Sequence, residues 1–78
     1  MMREVGRVVD FLKNPSVAVV ELIGSVFEGD RLIFGSRETT VSSMQIQKEP
    51  VTEAHAGHAV GIKVPWPVEY NTRVYVTE

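Results

Sequence analysis

Two histidines, His55 and His58, stand three positions apart in the run Thr52-Glu53-Ala54-His55-Ala56-Gly57-His58. Imidazoles at that spacing, with Glu53 as a third donor, are a minimal ligand set for a divalent metal. A solvated turn carrying two incidental histidines accounts for the same residues without a metal, and it is the reading adopted here. Asp30, Glu49, Glu53 and Glu69 are carboxylates scattered along the chain, with no pairing for general acid–base work. Ser42 and Ser43 precede Met44 without the G-x-S-x-G elbow that exposes a nucleophile. These residues are read as surface, and the chain as a non-enzyme with no metal or cofactor.

Pro65-Trp66-Pro67 is the remaining unusual group. An indole held between prolines is a rigid anchor for a peptide or a base when it is exposed. The preferred reading is a plug for one end of the core, because a short chain gains much from burying its one tryptophan. If Trp66 and Tyr70 are instead exposed together, they offer a surface for pairing two copies about a two-fold axis.

These groups need elements to position them, and 78 residues provide for one domain, expected to span 1–78. The chain has no cysteine, so neither disulfides nor thiolate-bound metal staple it. Hydrophobic residues make up 44% and charged residues 23%, which suits a packed core and not a disordered chain. The net charge is −2, and the eight basic residues are interleaved with acids, unlike the basic stripe of a protein that grips bare nucleic acid. No apolar run approaches a membrane span and no signal-peptide pattern opens the chain, so a cytoplasmic protein with no membrane partner is expected.

Valine, isoleucine and aromatic residues cluster in short runs punctuated by Gly, Pro, Asn and Asp. Branching at Cβ stiffens χ1 and suits a pleated surface, so these runs read as strands. Six are expected: Val5–Leu12, Val17–Leu22, Arg31–Phe34, Thr39–Gln47, Ala59–Val64 and Arg73–Val76. The fifth alternates most cleanly, with Val60, Ile62 and Val64 on one face and Gly61 and Lys63 on the other. Residues 52–57 read as one capped helical turn ending at Gly57. An open sheet of this size exposes edge donors and an apolar face, so closure into an all-β barrel is the economical arrangement. An OB-like and an SH3-like barrel are equally compatible with the pattern.

Three strings narrow that choice. Leu22-Ile23-Gly24-Ser25-Val26-Phe27-Glu28-Gly29-Asp30-Arg31-Leu32 resembles a signature of the second domain of elongation factor Tu and its relatives. Val41-Ser42-Ser43-Met44-Gln45-Ile46 and Ala54-His55-Ala56-Gly57-His58-Ala59-Val60-Gly61-Ile62 resemble two further elements of that domain, in the same order. The runs at 21–24, 43–46 and 60–64 resemble still more closely small stand-alone elongation-factor-like proteins and the C-terminal barrel of collagenase-like peptidases. The resemblance implies a closed six-stranded antiparallel Greek-key barrel with structural turns at Gly24, Gly29, Asp30, Gly57 and Gly61. It brings no GTPase half, since no G-x-x-x-x-G-K-[ST] loop is present.

What the resemblance implies for function is a binding module docking a protein or an RNA-containing partner. In elongation factor Tu this domain helps hold the aminoacylated end of tRNA. An acidic contact position of the family falls on Gln45 and an asparagine position on Ala59, which weakens the carry-over, while Lys48 keeps a basic residue nearby. A turn that commonly carries Gly-Asp reads Tyr70-Asn71-Thr72-Arg73, where Asn71 is able to take the left-handed conformation. Gln45, Lys48 and Trp66 are the candidate partner-binding residues, and no small-molecule substrate is indicated. The alternative is an accessory barrel serving a separate peptidase-like or RNA-modifying enzyme, with an autonomous enzyme ranked last.

Overall fold

Period-two alternation along almost every apolar run places one set of side chains in a common core and the other in solvent. The computed structural model describes all residues 1–78. It contains ten strands: β1 (Met2–Leu12), β2 (Val17–Leu22), β3 (Val26–Phe27), β4 (Arg31–Phe34), β5 (Arg37–Thr40), β6 (Met44–Ile46), β7 (Glu49–Val51), β8 (Glu53–Ala54), β9 (Ala59–Lys63) and β10 (Arg73–Thr77). Eight form one antiparallel sheet in the order β5-β4-β10-β1-β2-β9-β6-β7, and β3 pairs with β8 in a separate ribbon. No helix is long and apolar enough to cross a membrane.

β1 organises the sheet. Its 11 residues span roughly 33 Å, the whole 32 Å long axis of the molecule. Its first half pairs with β10 and its second with β2, with a register shift in each ladder, between Glu4 and Gly6 and between Val8 and Asp10. Such bulges sharpen the twist and curl a sheet on itself. Gly6 sits at the handover, opposite both Val74 and Leu22. A Cβ there would run into the backbone carbonyl oxygen of Glu21 and lie 2.9 Å from Val20 Cγ1, so only glycine fits.

The concave face holds a cluster of 16 buried apolar residues, among them Val5, Val8, Leu32, Met44, Val60, Ile62 and Val74. No polar or charged residue is buried, and no buried side-chain nitrogen or oxygen lacks a partner. The β3–β8 ribbon lays Val26 and Ala54, both fully buried, onto this core. Backbone bonds from Glu28 N to Thr52 O (2.8 Å) and from Gly29 N to Val41 O (2.9 Å) fasten it there. The chain ends meet at the start of β1 and the end of β10: Glu78 N donates to Met1 O at 2.8 Å, and the N-terminal amine lies 3.2 Å from Glu78 O.

The architecture is all-β and antiparallel, as the sequence implies, but it is not a closed six-stranded barrel. The eight-stranded sheet curls into a half-barrel whose end strands, β5 and β7, do not pair with each other. The expected single strand Thr39–Gln47 is broken at Val41–Ser43. Val41 turns into the core and bonds to Asp30 O, so β5 stays beside β4 while β6 crosses to β9. The expected helical turn over 52–57 is strand at Glu53–Ala54, because Ala54 fills a core position opposite Val26. Only after it does the chain turn, with His58 N bonded to His55 O and Gly57 at φ +95°.

Candidate functional site

The outer face of the sheet carries a trough. Val19 on β2 pairs with Gly61 on β9, and Gly61 pairs in turn with Gln45 on β6, so the three lie abreast on the convex side. Their sequence neighbours Ala18, Val20, Val60, Ile62 and Met44 point the other way and are buried. The outward residues of β9 are Ala59, Gly61 and Lys63, so the strand shows almost no side chain over its first half. Larger groups rise on either side: Leu12, Pro15 and Val17 from the β1–β2 end, Gln45, Gln47 and Lys48 from the β6–β7 hairpin. The trough, open to solvent on its outer side, has a volume of about 400 Å³. A Cβ on Gly61 would stand 3.1 Å from Val17 Cγ1, so the trough depends on that glycine.

Local backbone sets the basic side of the rim. Gln47 and Lys48 both have positive φ (50° and 68°) and join β6 to β7 in a two-residue turn. Positive φ at both central positions is the hairpin geometry that matches strand twist, usually supplied by Asn-Gly. Here it places Lys48 on the trough wall.

Charge is sorted by residue type. Arg3 pairs with Glu78, Arg7 with Glu21, Arg31 with Glu38 and Arg73 with Glu4, while Arg37 lies over the Trp66 ring at 5.6 Å. The three lysines, Lys13, Lys48 and Lys63, pair with no carboxylate. Lys48 lines the trough, Lys63 is the next outward residue after Gly61, and Lys13 lies between Leu12 and Pro15 in the chain. The acids on this face are Asp10, opposite Val19 and bonded to Phe11 N at 2.8 Å, and Glu21, opposite Ala59 and 3.7 Å from Arg7. The result is an apolar floor with amide and ammonium groups on one wall.

The candidate residues from the sequence therefore separate. Gln45 and Lys48 share the trough with Ala59 and Gly61. Trp66 is elsewhere: it is half-buried, packs against the core and meets Phe34 edge-on at 5.8 Å. Gly29 takes φ +94°, and the Asp30 carboxylate accepts the Phe27 N–H at 2.9 Å, so both serve the turn into β4. Gly24 has space for a Cβ at ordinary contact distance, 3.5 Å from Val5 Cγ1. His55 bonds Ser25 Oγ through Nδ1 at 2.8 Å and lies 3.6 Å from Glu53, while His58 Nδ1 accepts the His55 N–H at 3.3 Å. Those bonds knit the turn together, and no three of the His, Asp and Glu side chains gather as a metal-binding group.

Leu12, Pro15, Val17, Val19 and Gln47 line the trough and were not singled out from the sequence. One signal for them is visible: β2 reads Val17-Ala18-Val19-Val20, apolar on both faces where the outer face should be polar.

No protein-family model matches the chain. An uncharacterized protease of Methanocaldococcus jannaschii is 40% identical over 78 residues, covering 94% of this chain and 19% of that protein. The chain thus spans about a fifth of the length of that relative. Among solved structures, the C-terminal domain of a Geobacillus thermoleovorans protein assigned as a U32 peptidase superposes with a TM-score of 0.82 at 16% identity, covering 96% of this chain and 99% of that domain. A bacterial selenocysteine-specific elongation factor gives a TM-score of 0.74 at 20% identity, and the initiation factor aIF5B of Aeropyrum pernix 0.67 at 18%. Each of these covers 96% of this chain and 14% of the factor. The chain is similar both to barrel domains of translation factors and to a peptidase C-terminal domain, and the fold they share is the fold of this protein.

Proposed function

We propose that the chain is a non-catalytic binding module that holds the end of an RNA-containing partner in the trough across β2, β9 and β6. The observation that carries this reading is the Gly61 floor, open and apolar, beside an unpaired Lys48. A base laid on such a floor in apolar contact, with its phosphate beside the Lys48 ammonium, is a way to hold a terminal nucleotide. The paired arginines and the net charge of −2 limit the number of phosphates engaged, so recognition is of an end and not of a long strand. The likeness to two translation factors supports the reading by analogy of fold.

The test is fluorescence anisotropy with a labelled RNA tetranucleotide at low salt. Binding is expected with a shallow salt slope, about −1 to −2 on a log–log plot for one to three phosphates. Saturable binding that is unchanged in a Gly61→Val variant would remove the trough as the site.

A second reading is favoured by the 40% identity to a longer protease and by the match to a peptidase C-terminal domain. There the module serves a separate peptidase-like or RNA-modifying enzyme as its docking part. Ser25 and His55 do not argue for chemistry of its own, since His55 is exposed and Glu53 stands 3.6 Å off. Affinity purification of the tagged chain that returns no such enzyme counts against this second reading.

A further inference from the structure

The two edges of the eight-stranded sheet differ in character. β7 is three residues long with Pro50, which has no N–H, at its centre. A short strand with a central proline is a protected edge. β5, at the other end, has no proline and keeps an unbroken register with β4. Phe34 and Arg37 flank the two-residue Gly35-Ser36 turn, so they and the Leu32–Thr39 pair exchange the ladder bonds. Alternation then turns the N–H and C=O of both Glu38 and Thr40 away from β4. Outside the strand ladders no backbone bond involves either residue, and β4 is the sole partner of β5.

Charge marks the same edge. Arg37 and Thr39 face inward with Phe34 and Leu32. Arg37 lies over Trp66 and has no carboxylate partner, although Glu69 borders the same hollow. Thr39 and the unpaired Lys63 border a second hollow of about 170 Å³ with Val64 and Pro65. The one acid on β5, Glu38, is neutralised by Arg31. The open edge thus has beside it Arg37, a cation with no carboxylate partner, and the unpaired Lys63 borders the hollow next to Thr39.

We infer that the free edge of β5 accepts an extended, acidic polypeptide segment as a ninth strand. Backbone pairing to Glu38 and Thr40 supplies the attachment, and carboxylates beside Arg37 and Lys63 supply the selectivity. The site is distinct from the trough, and its readouts fall on different residues.

The experiment titrates the ¹⁵N-labelled full chain with the capped peptide TEVTVET and with its lysine counterpart TKVTVKT. The acidic peptide is expected to shift the Glu38 and Thr40 amides and slow their hydrogen exchange about tenfold or more, with little effect from the lysine peptide. Thr40→Pro removes an outward donor and no ladder bond, so the fold stays and affinity falls about tenfold. Arg37→Glu is expected to reverse the preference between the peptides. The inference is overturned by shifts at Gly61 and Gln45 in place of Glu38 and Thr40, by equal binding of both peptides, or by no shifts at millimolar peptide. It is equally overturned if these amides gain protection without peptide as protein concentration rises, since the occupant is then a second copy.

Discussion

Val19 and Gly61 are cross-strand partners on the convex face of the sheet, a β-branched side chain set against none at all. Flat antiparallel surfaces usually level such differences by filling both positions. Here the step between them is one wall of the trough, so the size of residue 61 decides whether the site exists. Replacing it with valine should fill the space next to Val17 and abolish trough binding. Isothermal titration with the RNA tetranucleotide is expected to show at least a tenfold loss, with stability lowered by about 1 to 2 kcal/mol, because a Cβ at 61 already stands 3.1 Å from Val17 Cγ1 and that side chain has to give way.

Gly6 should be intolerant in the opposite sense. Its missing Cβ is demanded by the backbone of Glu21, where no flexible side chain is able to give way. Gly6→Ala is expected to lower stability by about 2 kcal/mol or more, as overpacking against backbone does, and urea unfolding monitored by tryptophan fluorescence measures it. A loss below about 0.5 kcal/mol would show that β1 bends without this close approach.

Trp66 and Lys48 should fail differently. Removing the indole strips a partly buried ring from Phe34 and from beneath Arg37, so Trp66→Ala is expected to cost about 2 to 3 kcal/mol while leaving trough affinity unchanged in the folded fraction. Lys48→Ala is expected to leave stability within about 0.5 kcal/mol and to weaken RNA binding about three- to tenfold. Paired melting curves and titrations separate the two roles.

The β6–β7 turn offers a gain in stability at a cost in binding. Gln47 and Lys48 each hold a left-handed backbone that costs an ordinary residue about 1 kcal/mol. Substituting Asn-Gly at 47 and 48 is expected to stabilise the chain by about 1 kcal/mol and to weaken the trough by removing the ammonium. Thermal unfolding and anisotropy on the same variant check both halves.

The same turn shows where sequence reading ends. Nothing in Gln-Lys announces φ > 0, so the sequence continues the strand to Gln47, while the chain turns there into β7. Val41 presented a related problem. Its β-branched character suits a strand, but its inward turn is decided by bonds to Asp30 and from Gly29, residues that only tertiary packing brings near. Ala54 suits a helix beside Glu53 and His55, yet its pairing with Val26 and its burial in the core settle its state. By contrast β2, β4, β9 and β10 were legible, because alternation and bounding turns act locally. Of the residues lining the trough, Gln45 and Lys48 are named through a resemblance between families, whereas Gly61 is expected there at a turn and instead lies within β9, paired with Val19 and Gln45. The apolar wall from Leu12 to Val19 was hidden, because a valine counted toward the core and a valine turned outward read alike in one dimension.

Met1 and Glu78 finish side by side, bonded to each other across the last rung of the β1–β10 ladder. A larger protein carrying this unit in a loop would need only a short gap in its own backbone, with both connections passing through one point. Attached in that way the half-barrel would hang from its two ends at one point, with the β1–β10 ladder intact. Closed by a short Gly/Ser bridge and reopened at Gly35–Ser36, the same chain should fold with its strand neighbours unchanged.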